Sequence, residues 1–295
     1  MHVVSPSTIQ FIDPYTPCIV IRGKLTTDIL KYQNQYDEVI AIGGGAVMDA
    51  AKILSKNKLI CYPTTASGSP TSAHSVVWDG VNKTSVQGNP ADVVEAKEEY
   101  CKGLKGEALL NTRIDLWAHA IDTLYSKRAT TETKKESNFI LSRMKKPLTN
   151  VELVELGNLG GELIRKVSTT LMHGCSYPIT GNYDIPHGRA LGMMVKGICD
   201  IKDLNPMSWF AEEEIKSMKP DWEAPEGFRL YEKQEQFRSS LIDHLTDNEG
   251  FDVRIVNIDK AMRINYTKGM VAGIEGCDGI KSNGIVKPHI ITSQS

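Results

Sequence analysis

The stretch Val39-Ile40-Ala41-Ile42-Gly43-Gly44-Gly45-Ala46-Val47-Met48-Asp49-Ala50-Ala51-Lys52 decides the fold. Its first four residues are a continuous apolar run of strand length. Three glycines follow at once, and Val47, Ala51 and Leu54 then recur at helical spacing. Lys58 to Tyr62 is a second apolar run, ended by Pro63. Strand, glycine turn, helix, strand is a βαβ unit, which implies a parallel sheet. Glycines let the backbone pass close to a ligand, and the helix behind them offers free N–H groups and partial positive charge. Such a turn suits a pyrophosphate. A tight turn in any α/β protein reads the same way, since the pattern is neither G-x-G-x-x-G nor a Walker A loop. Pro63-Thr64-Thr65 also follows a strand and adds hydroxyl donors.

Working outward, Cys18 to Arg22 is a short β-branched run and Thr26 to Gln33 has helical spacing. Residues 66–100 carry turn residues and β-like pieces such as Ser75-Val76-Val77-Trp78. From about residue 104 the texture changes. Leu110, Ile114, Trp117, Ala118, Ile121, Leu124 and Tyr125 follow the stripe of one buried helix face. Further helices are expected at 132–144, 151–172, 190–200, 229–246 and 258–273. The 202–228 segment, with Pro206, Pro220 and Pro225, reads as loops around a short helix. The boundary falls near residue 103, giving an α/β domain over 1–103 and a helical domain over 104–295. A ligand cleft is expected between them.

Composition bounds the function. The 295 residues include 36 acidic and 34 basic ones, a formal net charge of −2, which argues against binding nucleic acid through bulk charge. With 41% hydrophobic and 24% charged residues the chain is ordinary globular material. No stretch approaches the roughly 20 apolar residues of a membrane span, and Met1-His2-Val3-Val4-Ser5 lacks the pattern of a signal peptide. The six cysteines form no C-x-x-C pair and read as reduced core thiols of a cytoplasmic protein.

A second constellation suggests metal. Asp115 and His119 stand i, i+4 on a strongly expected helix, so both side chains share one face. His173 ends another expected helix, and His187 follows in a loop before the next. One carboxylate and three imidazoles would hold a divalent ion with room for a substrate oxygen. Each taken singly also reads as a structural residue.

These motifs, in this order, resemble the iron-containing alcohol dehydrogenase family, within the superfamily shared with dehydroquinate synthase. Gly43 to Lys52 looks like its GGGS-x-x-D-x-A-K turn, and Pro63-Thr64-Thr65-Ala66 like its PTTAGTGSE loop. Asp115-Leu116-Trp117-Ala118-His119-Ala120-Ile121-Asp122 looks like its D-A-L-x-H-A-x-E helix. His173 and Pro186-His187-Gly188 match its last two metal ligands. The resemblance implies a dehydroquinate synthase-like fold. It has an N-terminal dinucleotide-binding α/β domain with a parallel sheet and an all-α C-terminal domain. It implies Fe2+ or Zn2+ on Asp115, His119, His173 and His187. It further implies NAD(H) or NADP(H) on Gly43, Gly44, Gly45, Asp49, Thr64, Thr65 and Ser69, with Lys83 near the nicotinamide ribose. A solvated surface lysine is the other reading of Lys83.

A narrower resemblance is to phosphonoacetaldehyde reductases. Ser75-Val76-Val77-Trp78-Asp79 with Lys83, and His173-Gly174-Cys175-Ser176-Tyr177-Pro178-Ile179-Thr180, are similar to their segments. Tyr177 stands where typical family members carry a second histidine. With Arg189 it is a candidate catalytic residue. Arg189 follows His187 by two residues and either grips an anionic substrate or pairs with a surface carboxylate. The implied function is reduction of a small aldehyde to an alcohol, with phosphonoacetaldehyde to 2-hydroxyethylphosphonate the best candidate. The implied partners are a small aldehyde or alcohol, neutral or anionic, and a second copy in a homodimer, with no nucleic acid and no membrane. The alternatives are a generic alcohol dehydrogenase, a dehydroquinate synthase-like or polyol-phosphate enzyme, or a degenerate homologue that binds metal and nucleotide without turnover.

Two departures from the family pattern motivate the last alternative. The Pro63–Pro70 loop is one residue short and lacks the glutamate. The glycine turn arrives at residue 43, so the opening strand and helix are expected to be reduced or absent. The acidic residue that reads the adenosine ribose belongs there. Asp13 either substitutes for it or simply makes the turn before Pro14.

Overall fold

The apolar run around Val39–Ile42 forms the middle of a strand because it is buried on both faces. Val39 and Ala41 are wholly inaccessible and Ile42 nearly so. The computed structural model describes residues 1–126, 128–169, 171–195, 198–199 and 203–218. The helices expected at 229–246 and 258–273, together with His244, His289, Cys277, Pro220 and Pro225, lie outside the described residues.

The sheet has five parallel strands: β1 (His2–Val4), β2 (Cys18–Val20), β3 (Tyr36–Gly43), β4 (Ser55–Pro63) and, numbered seventh along the chain, β7 (Val93–Val94). Their spatial order is β2-β1-β3-β4-β7. Helix α1 (Gly45–Leu54) leaves β3 directly and packs back on it through Val47, Met48, Ala51 and Leu54. β1 has three residues, and a single 3-10 turn at Ile9–Phe11 stands between it and β2. Thr26 to Gln33, read as helical, is a 3-10 segment over Thr27–Tyr32. The β-like piece after the loop is half of a hairpin, β5 (His74–Asp79) and β6 (Asn82–Gln87). It turns at Gly80, whose φ of +57° favours glycine.

Helices follow: α2 (Glu98–Cys101), α3 (Gly106–Tyr125), α4 (Thr131–Met144), α5 (Asn150–Val167), α6 (Leu171–Tyr183), α7 (His187–Gly192) and α8 (Glu212–Met218). The expected stripe of α3 is buried through Ile114, Trp117, Ala118 and Ile121, which form a core with Ile140, Leu153, Leu163 and Leu191. Thr130 and Thr149 open α4 and α5 with capping boxes. Three expectations need correction. The helix read at 151–172 is two, because Ser168 takes a φ of +63° and breaks it. His173 therefore lies in the first turn of α6 instead of ending a helix. His187 is not in the preceding loop but is the first residue of α7, with Pro186 at the N-cap fixing the start. Among the described residues no helix is long and apolar enough to cross a membrane.

The loop after β4 joins the two halves. Ala66 N–H donates to Thr112 Oγ1 of α3 at 2.6 Å, and Thr71 Oγ1 donates to the Asn158 carbonyl of α5 at 2.7 Å. The approach needs glycine. A Cβ on Gly157 would lie 2.4 Å from Ala66 Cα, and one on Gly161 would lie 2.0 Å from the Gly68 carbonyl oxygen.

Candidate metal and nucleotide site

Helix α3 presents Asp115, His119 and Asp122 on one face, since i, i+4 and i+7 return to the same side. The start of α6 and the start of α7 bring His173 and His187 to that face. Asp115 Oδ1 is the focus. His119 Nε2 lies at 3.5 Å, His173 Nε2 at 3.4 Å and His187 Nε2 at 3.7 Å. The His119 and His173 rings are stacked, 4.8 Å apart and 5° from parallel. Asp115 Oδ1 and His173 Nε2 are buried without a hydrogen-bond partner. A hydrogen-bonding deficit of that kind is costly unless something else completes it. Three imidazole nitrogens and a carboxylate oxygen around one point fit a divalent iron or zinc ion.

Two residues behind this cluster set the orientations of the His173 and His187 rings. Asp122 Oδ2 lies 2.8 Å from His173 Nδ1, and both side chains are 3% exposed. That carboxylate holds a proton on Nδ1 and turns Nε2 toward Asp115. Ser176 Oγ donates to the His173 carbonyl at 2.8 Å and stands 3.2 Å from His187 Nδ1, so it serves the second ring in the same way. Neither role was assigned from sequence. Asp122 did carry a signal, its place one helical repeat beyond Asp115. Ser176 carried none beyond its motif.

The titrations follow from burial and charge. Burial pushes His119 and His187 down to about 4, against the pull of Asp115. Burial would also lower His173, but the carboxylates of Asp115 and Asp122 on either side of the ring outweigh it and raise it to about 10. Burial would raise Asp115, but His119 and the other two imidazoles hold it below the ordinary carboxylate range.

Tyr177 flanks the cluster. Its ring stacks on His187 at 5.8 Å and 12°, and Lys83 Nζ lies 4.0 Å from its ring centre. Burial would raise the phenol, yet Lys83 and His173 bring it below its usual value. Arg189 is elsewhere. Its guanidinium is 3.5 Å from Glu107, and it is 37% exposed. Glu107 lies eight residues before Asp115 on α3, about 12 Å along the helix axis.

At the other end of the interdomain loop lies the glycine turn. Gly44 is the N-cap of α1; its carbonyl accepts from the Val47 and Met48 N–H groups, and the Gly45 and Ala46 N–H groups ahead of them have no helical carbonyl to bond. Thr64 N–H donates to the Gly43 carbonyl at 2.9 Å, which sets Thr65 over the turn. A Cβ on Gly44 would meet only Thr65, at 3.4 Å, so the space above the turn is open and suits a pyrophosphate. Asp49 and Ser69 lie beneath the turn. Ser69 Oγ donates to Asp49 Oδ1 at 2.6 Å. The wholly buried Lys52 Nζ reaches Asp49 Oδ1 at 3.1 Å and donates to the His74 carbonyl at 2.5 Å. Asp49 and Ser69 therefore brace the loop against α1, with Lys52, unassigned from sequence, as the charge that makes Asp49 tolerable. Asp13 is exposed and accepts from the Tyr15 N–H at 3.2 Å, which makes it the turn residue before Pro14.

Comparison with known proteins agrees with this architecture. No family model matches the chain. The 4-hydroxybutyrate dehydrogenase of Clostridium kluyveri is 30% identical over 193 residues, 53% of this chain and 52% of that one. The phosphonoacetaldehyde reductase of Streptomyces viridochromogenes is 23% identical over 241 residues, 64% of this chain and 61% of that one. The chain thus matches between half and two thirds of the length of these two relatives. An iron-containing alcohol dehydrogenase from Corynebacterium glutamicum superposes with a TM-score of 0.63, at 14% identity, over 90% of this chain and 87% of that one. In fold the chain belongs with the iron-containing alcohol dehydrogenases, as the resemblance of its motifs implies.

Proposed function

We propose that the chain is a metal-dependent nicotinamide oxidoreductase that reduces a short aldehyde bearing an anionic group, with phosphonoacetaldehyde the first candidate. The observation that carries the reading is the convergence of the buried His119 and His173 and the partly buried Asp115 and His187 on one point, backed by Asp122 and Ser176. When bound, the ion supplies Lewis acidity to a carbonyl oxygen and the nicotinamide supplies hydride. The chain's own work is placement. Gly43 to Gly45 with Thr64 and Thr65 receive the pyrophosphate, and Asp49, Ser69 and Lys52 keep that loop in register. Lys83, 4.0 Å from the Tyr177 ring centre, would reach the nicotinamide ribose, while Tyr177, stacked on His187, would hold a hydroxyl proton for the substrate. The division near residue 103 sets these two sets of groups on opposite walls of a cleft.

The anionic substrate is supported by the relatives. One is named for a hydroxy acid and the other for a phosphonate aldehyde. For Arg189 to grip such a group it must exchange Glu107 for the substrate, both being anionic partners. We place the protein in the cytoplasm as a homodimer; thiols outside any disulfide at Cys18, Cys61 and Cys101 support the compartment.

The test is a spectrophotometric screen of phosphonoacetaldehyde, succinate semialdehyde and propanal with NADH and NADPH, iron or zinc being supplied. Oxidation of the reduced nucleotide that favours the anionic aldehydes is expected. Loss of that preference in Arg189→Ala, by about 10- to 150-fold in kcat/KM, would assign the grip. A wild-type preference for propanal would refute the anionic substrate, and no turnover at all would leave a binding protein.

A further inference from the structure

We infer that the nucleotide site of this chain selects the 2′-phosphorylated dinucleotide, NADP(H), through Arg22 and the hydroxyl-bearing turn Ser5–Thr8. The inference rests on the dinucleotide reading of the glycine turn and deepens it. In open parallel sheets the ligand lies outside the carboxyl ends of the strands, where the strand order reverses. Here β1 leads to β2 on one side, while β3, β4 and β7 run out on the other. The reversal is therefore between β1 and β3, and the carboxyl end of β3 is the glycine turn. The adenosine ribose of a dinucleotide lying on that turn falls at the carboxyl ends of β1 and its outer neighbour β2.

The chemistry at those two ends is specific. β1 runs into Ser5-Pro6-Ser7-Thr8. Thr8 is buried, and its hydroxyl donates to the Ile42 carbonyl at 2.6 Å, which fastens this turn beside Gly43. Ser5 Oγ lies 2.9 Å from both Ser7 Oγ and Thr8 Oγ1. With the Thr8 proton given to Ile42, the hydroxyls of Ser5 and Ser7 are the neutral groups here able to donate to a ligand. Between Met1 and Ile12 there is no carboxylate, and Asp13, the first, is spent on its own turn. β2 pairs with β1 as Val4 with Val20, and Ile21 N–H donates to the Val4 carbonyl at 2.8 Å, so the ladder continues one residue further. Arg22 then comes level with the Ser5–Thr8 turn. It is exposed, and among the described residues it enters no ion pair.

A ribose reader for NAD(H) is a carboxylate accepting from the 2′-hydroxyl, and such a group repels a 2′-phosphate. An arginine at the same place receives that phosphate through paired hydrogen bonds. This chain has the arginine and the hydroxyls and lacks the acid.

The experiment separates the nucleotide from metal and turnover. Binding of 2′,5′-ADP and 5′-ADP, and of NADPH and NADH, is measured by calorimetry on the full chain. We expect 2′,5′-ADP and NADPH to bind at least 10-fold more tightly than their partners. Arg22→Ala should erase most of that preference, a loss of about 10- to 150-fold on the phosphorylated ligands only. Arg22→Lys, keeping charge without the fork, should fall between. Ser7→Asp should turn the preference toward NADH. Equal binding of the paired ligands, a preference for NADH, or a preference that survives in Arg22→Ala overturns the inference while the glycine-turn reading stands. Binding of none of the four at millimolar concentration overturns both.

Discussion

Removing the Asp122 carboxylate should loosen the metal without touching a ligand. Asp122 Oδ2 and His173 Nδ1 are 2.8 Å apart and both side chains are 3% exposed, so water does not replace the bond when it is lost. A hydrogen bond to a charged group in such a place contributes about 1.5–3 kcal/mol. Through the binding isotherm that is roughly 10- to 150-fold, the same range as the 10- to 100-fold typical of partners behind metal ligands. In Asp122→Ala the proton of His173 is free to sit on either ring nitrogen. Half of that freedom places it on Nε2, where it blocks coordination. Asp122→Asn keeps the shape and an acceptor oxygen, so its loss should be smaller. The assay is competition against a chromophoric chelator with zinc and, under anaerobic conditions, with ferrous iron, on variants shown to be folded by circular dichroism. The expected order of affinity is wild type, Asp122→Asn, Asp122→Ala and then His187→Ala, which loses a donor outright. Wild-type affinity in Asp122→Ala would show that His173 needs no help in presenting Nε2, and the reasoning would fail.

Gly161→Ala should destabilise the fold by about 1–3 kcal/mol, the usual cost of overpacking, because its Cβ would meet the backbone oxygen of Gly68 at 2.0 Å. Urea unfolding measures it, and a midpoint equal to wild type would contradict the close approach. Acid should weaken the metal-free protein between about pH 6.5 and pH 4. His119 and His187 titrate near 4 when folded and near their ordinary value when unfolded, so in that window the unfolded chain binds more protons and stability falls with pH. His173, raised to about 10, acts with the opposite sign, its contribution full below pH 6.5 and draining away as pH climbs toward 10. Denaturant unfolding at pH 4.5, 6, 7.5 and 9 checks both limbs, and a flat acid limb would refute the first.

Much of this molecule was legible where one physical signal dominated. The strand at Val39–Ile42 is apolar on both faces, which only a central parallel strand needs, and three glycines then leave no alternative to a sharp turn. Asp115 and His119 were readable because helix periodicity fixes which face they share. His173 and His187 stood out as candidate ligands but were not readable as helix starts, since the break at Ser168 depends on a left-handed backbone that no residue type there announces. β1 is too short for periodicity to register, and its three residues become a strand only because β3 is beside them. The glycines of α5 announce no role in the sequence. Their purpose appears only when the loop from the other half is laid on them. Arg189 shows the converse limit. Its distance from His187 in sequence was short, yet the turn of α7 carries its guanidinium to Glu107.

That glycine face has a thermodynamic consequence. Gly157 and Gly161 carry the loop that follows β4, and a Cβ on Gly160, between them, would lie 3.5 Å from His119 Nδ1. One stretch of helix backbone is thus the common floor of the proposed nucleotide loop and of a proposed metal ligand. Where two sites share a support, each ligand changes the other's affinity by the same factor, because the free energy of the doubly loaded state does not depend on the order of loading. Any firming of His119 by nucleotide is returned as an equal firming of the nucleotide by metal. Depletion of the metal would then register first as a shorter residence time of the nucleotide, some distance from the ligands that lost their ion.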